Sequence, residues 1–265
     1  MTWHGRSSFR LAKWYGDCVA DDGTAFIGYA ATLRVGPVTL PYQAALLAEP
    51  GQPLRQRSAL SRHDPPALGP GRASWSPTAL GVSASWEGDV APIHAVLLER
   101  EDLRIEWRCH LPRATAAVRT GGRPQLLGTG YVEEIVIEGD PRHIPIRELR
   151  WGRFHGGDHW AVWIDWRGEH PLQRAWADGV EVQGARVSDQ GVELAAPGPI
   201  AFLAPRDVRH GDVAETVFPG KPWLQRLIPA SLRHMDEHKW VARATLHAPP
   251  APSGGWALFE TVTWP

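Results

Sequence analysis

Apolar and polar residues alternate with a period of two along most of the chain, the mark of strands with one face turned inward. Ala25–Val35 reads as such a strand, entered through the turn Asp21-Asp22-Gly23. An Asp-Gly pair between apolar runs is a strong hairpin signal. Ile93–Glu99 and residues 103–110 predict a second hairpin around Arg100-Glu101-Asp102, and residues 131–137 a further strand. Residues 160–166, 180–182, 192–194, 239–246 and 256–264 continue the pattern. Short strands punctuated by turns, with 27 Gly and 24 Pro to make them, predict an all-β fold. Helix is confined to short insertions, the best candidate being residues 223–228 behind Pro222, since proline is tolerated in a first turn. The proline-rich stretch 49–72 reads as a long loop or flap.

The pattern occurs twice. Phe9-Arg10-Leu11-Ala12-Lys13-Trp14, then Asp21-Asp22-Gly23 and an apolar strand, is echoed by Ile146-Arg147-Glu148-Leu149-Arg150-Trp151, then Gly156-Gly157-Asp158 and the strand from Trp160. Each half closes alike, Gly128-Thr129-Gly130-Tyr131-Val132-Glu133-Glu134-Ile135-Val136 answering Gly254-Gly255-Trp256-Ala257-Leu258-Phe259-Glu260-Thr261-Val262 with Glu134 matched to Glu260. Such duplication implies two similar units. The expected division falls near Asp140-Pro141, giving an N-terminal barrel over residues 1–140 and a C-terminal barrel over 141–265.

These openings and closings, chiefly Gly130-Tyr131-Val132-Glu133, Leu149-Arg150-Trp151-Gly152-Arg153-Phe154 and the stretch 254–264, resemble the superfamily of carotenoid 1,2-hydratases, plant tocopherol cyclases and AttH-type bacterial proteins. The resemblance implies two lipocalin-like antiparallel β-barrel halves. Where the hydratases carry an aromatic-Asp-His-Asn stretch after the Gly-Tyr pair, this chain has Val132-Glu133-Glu134.

Composition narrows the function. A formal net charge of −1, from 28 basic and 29 acidic residues, gives no field to gather nucleic acid or an anionic surface. No run of about 18 apolar residues predicts a spanning helix. The start, Met1-Thr2-Trp3-His4-Gly5-Arg6, shows no signal peptide, so a cytoplasmic location is expected. Cys18 and Cys109 read as two buried thiols, with a disulfide left open. Tryptophan is the outlying residue: 14 Trp stand against four Tyr and six Phe. Indoles bring the largest apolar area and a ring face that attracts cations, so they fill a core or line a site.

Candidate chemistry rests on acids along apolar strands. In the last strand Glu260 shares a face with Trp256, Leu258, Val262 and Trp264. In the strand before the midpoint Glu133 shares a face with Tyr131 and Ile135, and Glu134 the opposite one with Val132 and Val136. A walled-in carboxyl has its pKa raised, by as much as ~3–5 units, and then gives up a proton near neutrality. With an isoprenoid-like alkene the product is a carbocation, which the indoles of Trp14, Trp151 or Trp163 would stabilise by ~2 kcal/mol per desolvated contact. Tyr131 and Arg153 complete the expected substrate contacts. The competing explanation is structural: a glutamate paired with Arg150 or Arg153 inside the barrel.

Metal sites are not expected. His155-Gly156-Gly157-Asp158-His159 reads as a turn with its polar groups in water, and His234-Met235-Asp236-Glu237-His238 as a solvated loop before a strand. The expectation is a cofactor-independent enzyme performing acid-assisted hydration, cyclisation or isomerisation on a hydrophobic small molecule. The rivals are a non-catalytic carrier of a lipophilic ligand, and a cavity filled by its own tryptophans.

Overall fold

In the computed structural model, which describes residues 9–61, 64–214, 225, 226, 228 and 230–265, the chain forms two curled antiparallel sheets. The first contains β1 (Phe9–Val19), β2 (Ala25–Val35), β3 (Val38–Ala48), β4 (Arg55–Ala59), β5 (Ala67–Gly69), β6 (Arg72–Trp75), β7 (Val82–Glu87), β8 (Ile93–Glu99), β9 (Leu103–Thr120) and β10 (Leu126–Gly139). The second contains β11 (Ile146–Gly156), β12 (His159–Gly168), β13 (Leu172–Ala177), β14 (Val180–Glu181), β15 (Arg186–Ser188), β16 (Gly191–Glu193), β17 (Ile200–Asp212), β18 (Asp236–Leu246) and β19 (Ser253–Thr263). The described helical pieces are single turns at Thr78–Leu80, Pro141–His143 and Ala230–Arg233. The helix expected at 223–228 lies largely outside the described residues. The stretch 49–72 is not one long loop, because it contributes β4 and β5 to the sheet edges.

Strand order shows the duplication. The first sheet runs β4-β3-β2-β1-β10-β9-β7-β6-β5, with β8 also on β9, and the second runs β14-β13-β12-β11-β19-β18-β17-β16-β15. In each, the opening strand lies between the strand it hairpins with and the closing strand. One strand, β17, takes the place of both β7 and β8, pairing β18 before and after an irregularity between Leu203 and Arg206. Each half also grips the other's first hairpin. Arg113 donates to the carbonyl of Gly157 at 2.7 Å, and Arg206 donates to that of Gly23 at 2.7 Å.

Alternation along these strands separates three apolar layers. Tyr15 and Val19 of β1, with Trp160, Val162, Ile164 and Trp166 of β12, belong to a middle layer between the sheets. Trp14 and Cys18 point the other way, into the hollow of the first sheet, beside Trp75 and Trp86. Phe154 and Trp163 fill the hollow of the second beside Phe202 and Phe259. Glycine makes the first hollow possible. A Cβ at Gly16 would lie 2.6 Å from the Trp14 ring, and one at Gly28 would lie 2.6 Å from Trp75. The indoles occupy that space instead, Trp14 sitting 5.4 Å from Trp75 and 5.5 Å from Trp86 between ring centres.

Both cysteines are free and buried. Among the described residues no helix is long and apolar enough to cross a membrane.

Candidate active site between the two sheets

The middle layer changes character along its length because each strand contributes every second residue to it. At its outer end β1, β2 and β3 present Leu11, Leu33 and Leu40, β10 presents Ile137, and the chain's end presents Trp264. Ile228 and Leu232 from the short helical region pack over them. These walls enclose a cavity of about 240 Å³.

One step further in, the same strand faces turn ionisable. Lys13 follows Leu11 on β1, Glu133 follows Ile135 on β10, and Glu260 follows Val262 on β19. β17 brings Arg209, and β18 brings Glu237 and Lys239. Lys239 lies 3.2 Å from Glu237 and is in direct contact with Glu260, while Arg209 lies 3.1 Å from Glu237. Glu237, Lys239 and Glu260 are all buried. Burial pushes Lys239 down to about 8, with Glu237 acting against it. Burial would raise Glu237, but Lys239, Arg209 and Lys13 outweigh it and hold the carboxyl at about 2.

Glu133 has different company. Its Oε2 accepts hydrogen bonds from the Trp107 indole N–H and from the Tyr131 hydroxyl, the latter at 2.6 Å. Burial raises its pKa above the ordinary carboxylate value, and these two donors with the more distant Lys13 and Lys239 offset only part of that rise.

Deeper still the layer closes. Tyr15, Tyr131 and Trp151 meet edge-on at 5.1 to 6.1 Å between ring centres, and Trp107 stacks on Trp176 at 5.0 Å. Below them Arg153 clamps Asp17 with two prongs, Nη2 to Oδ1 at 2.5 Å and Nε to Oδ2 at 3.3 Å, both side chains fully buried.

Of the residues singled out from sequence, Tyr131, Glu133, Trp151, Arg153 and Glu260 all lie in this middle layer. The other three do not. Trp14 fills the first hollow. Glu134, on the same face of its strand as Val132, pairs with Arg108 at 3.3 Å near solvent. Trp163 lies in the second hollow, beside a separate cleft of about 470 Å³. The expected structural pairing is also replaced: Arg150 binds Glu148 and Asp189, Arg153 binds Asp17, and the partner of Glu260 is Lys239.

The histidine readings need correction too. His155 is buried, its Nε2 2.8 Å from the Pro112 carbonyl, and desolvation drives its pKa well below the usual range. His238 is part of β18, stacked on Trp240 at 3.8 Å and 2.8 Å from Asp207. Among the described residues no group of three or more histidines, cysteines or acids is placed to hold a metal ion.

Sequence reasoning missed Lys13, Tyr29, Arg209, Glu237 and Lys239. A trace was present: Glu237 and Lys239 alternate with His238 and Trp240 along a strand that continues into Val241 and Ala242, so one face had to bury charge.

No protein-family model and no curated protein matches the sequence. Solved structures do match in shape. Kievitone hydratase from Nectria haematococca superposes with a TM-score of 0.56 at 10% identity, over 95% of this chain and 88% of that one. CghA with Sch210972 superposes with a TM-score of 0.55 at 12% identity, over 97% of this chain and 89% of that one. At these identities the likeness is one of fold. The chain shares with them the arrangement of two curled antiparallel sheets, each a lipocalin-like half.

Proposed function

We propose that the chain is an enzyme that takes a hydrophobic small molecule into the cavity between its sheets and acts on it by proton transfer, leading to hydration, cyclisation or isomerisation without a cofactor. The observation that carries this reading is Glu133, a carboxyl with a raised pKa that lies two residues along its strand from Ile135, a residue lining the apolar cavity. A neutral carboxyl has one oxygen that bears the proton and one that accepts hydrogen bonds. Oε2 accepts two hydrogen bonds, which leaves Oε1 to carry the proton in the proposed acid form.

In the proposed step the substrate's π electrons form a new C–H bond to that proton, and the O–H pair returns to the carboxylate. Trp107 and Tyr131 already point at the charge that develops, which needs no rearrangement. The cation left on the substrate meets the ring of Tyr29, which lines the cavity. Capture by water completes a hydration, capture by the substrate's own nucleophile a cyclisation, and loss of a neighbouring proton an isomerisation; in each the proton released returns to the Glu133 carboxylate, directly or by way of Glu260, and restores the acid. One fold neighbour is named a hydratase, in agreement with the first.

A cytoplasmic setting and two barrel domains, 1–140 and 141–265, belong to the same proposal, and nucleic acid has no part in it. The rival reading, a lipophilic carrier, draws on the Glu260–Lys239 pair, which balances charge without chemistry. Solvent labelling separates the two. A ligand recovered from the purified protein by native mass spectrometry, then incubated with fresh protein in deuterated water, gains deuterium from the enzyme. A carrier returns it unlabelled.

A further inference from the structure

The two arginines of the middle layer use their guanidinium edges differently. Arg153 holds the Asp17 carboxylate with Nε and Nη2, the side-on edge that matches a carboxylate's two oxygens. Arg209 spends Nη1 on Glu237. Its Nε and Nη2, the same edge, have no hydrogen-bond partner among the described residues, although the side chain is only 8% exposed and lines the cavity. Tyr29, which also lines the cavity, has a buried hydroxyl without a partner. Buried donors left unpaired are costly, and native proteins satisfy nearly all of them.

We propose that the molecule bound in this cavity carries an oxyanion head group, a carboxylate or an enolate, seated on the Arg209 Nε–Nη2 edge and the Tyr29 hydroxyl, with its hydrocarbon body along Leu11, Leu33 and Leu40. The inference rests on the cavity being the substrate site. It adds what the substrate is: an amphipathic acid rather than a plain hydrocarbon.

Charge agrees with this. Lys13, Arg209 and Lys239 gather around Glu237 and Glu260, and in the proposed acid form Glu133 adds no charge. With Glu133 in that form the cluster holds three basic groups against the carboxylates of Glu237 and Glu260, and one bound anion balances it. The same anion would lie next to the proton donor, so that protonation falls on an atom near the head group.

The test compares three probes with one hydrocarbon body: farnesoic acid, its methyl ester and farnesol, with binding read by quenching of tryptophan emission. Wild-type protein is expected to bind the acid about tenfold or more tightly than the ester or alcohol, as for a hydrogen-bonded charge pair. Arg209→Met is expected to lower acid binding to the level of the ester while leaving ester binding within about twofold. Tyr29→Phe, which keeps the ring, is expected to weaken only the acid, and it carries the test if Arg209→Met does not fold. Equal binding of acid and ester by the wild type, or a preference that survives both substitutions, overturns the oxyanion seat and leaves the cavity reading intact. Failure of all three probes to bind overturns both.

Discussion

Glu133 and Glu260 hold the same place in the two sheets. Glu133 faces Tyr15 on the opening strand and Cys109 on the strand before it; Glu260 faces Trp151 and Lys239 in the corresponding positions. One lateral neighbour differs in kind. Beside Cys109, Glu133 meets uncharged donors, and burial raises its pKa. Beside Lys239, Glu260 enters an ion pair. Duplication thus supplied two acids, and a single cross-strand position set them apart. In the proposed reading the unpaired acid is the proton donor, and the paired one is its charged counterpart.

The largest effect expected from breaking this comparison is on turnover. Glu133→Gln keeps the shape but removes the acidic proton, and losing a general acid costs about 10²–10⁴-fold in rate. Thermal unfolding of that variant should change little or improve, since a desolvated acid is removed. Turnover that survives intact would leave Glu133 a structural residue.

Glu260→Gln should cost stability as well as turnover. Removing one member of a buried pair strands the other, at a cost of about 3–5 kcal/mol. Lys239 retains Glu237 at 3.2 Å, which places the loss at the lower end of that range. Urea denaturation would check it. A variant as stable as the wild type would mean that the Glu260–Lys239 contact contributes nothing.

Cys109→Lys tests the comparison from the other side by giving Glu133 the neighbour that Glu260 has. An adjacent cation lowers a carboxyl's pKa by about 1–3 units. Activity requires protonated Glu133, so it falls as pH rises through that pKa, and a lowered pKa moves the fall to lower pH. Above the wild-type pKa the variant should be about tenfold slower or worse, one unit of pKa being a factor of ten. Cys109→Met controls for overfilling a fully buried position. It should lose some stability and keep the pH profile of the wild type.

How much of this was legible depended on whether a strand has one buried face or two. β7, with Val82, Ala84 and Trp86 buried and Ser83, Ser85 and Glu87 exposed, can be read directly from its alternation. β1 and β12 are buried on both sides, so their sequences show that they are central but not which residues face the partner sheet. That is why Trp14 was matched to Trp151 although the structural counterpart of Trp151 is Tyr15. Each is the residue across from its half's inward-facing glutamate. Lys13, Arg209 and Lys239 escaped for a related reason. A basic residue on a strand reads as solvated until the second sheet that covers it is known.

The smallest expected effect belongs to Glu134, and it follows from the same one-residue step. Shifting a strand's register by one moves every side chain to the opposite face, and matching Glu134 to Glu260 made that shift. In the structure Glu134 stands across from Trp14 on the hollow side of the first sheet, where Arg108 and His110 approach it at 3.3 and 4.0 Å in partly exposed surroundings. Partly exposed pairs of this kind contribute about 0–1 kcal/mol. Glu134→Gln should therefore shift the unfolding midpoint only slightly and leave turnover within about twofold, less than 0.5 kcal/mol in the barrier. Measured beside Glu133→Gln, it compares two adjacent glutamates separated by the thickness of one sheet. Equal losses in the two variants would show that the face, and with it the placement of the reaction between the sheets, has been misassigned.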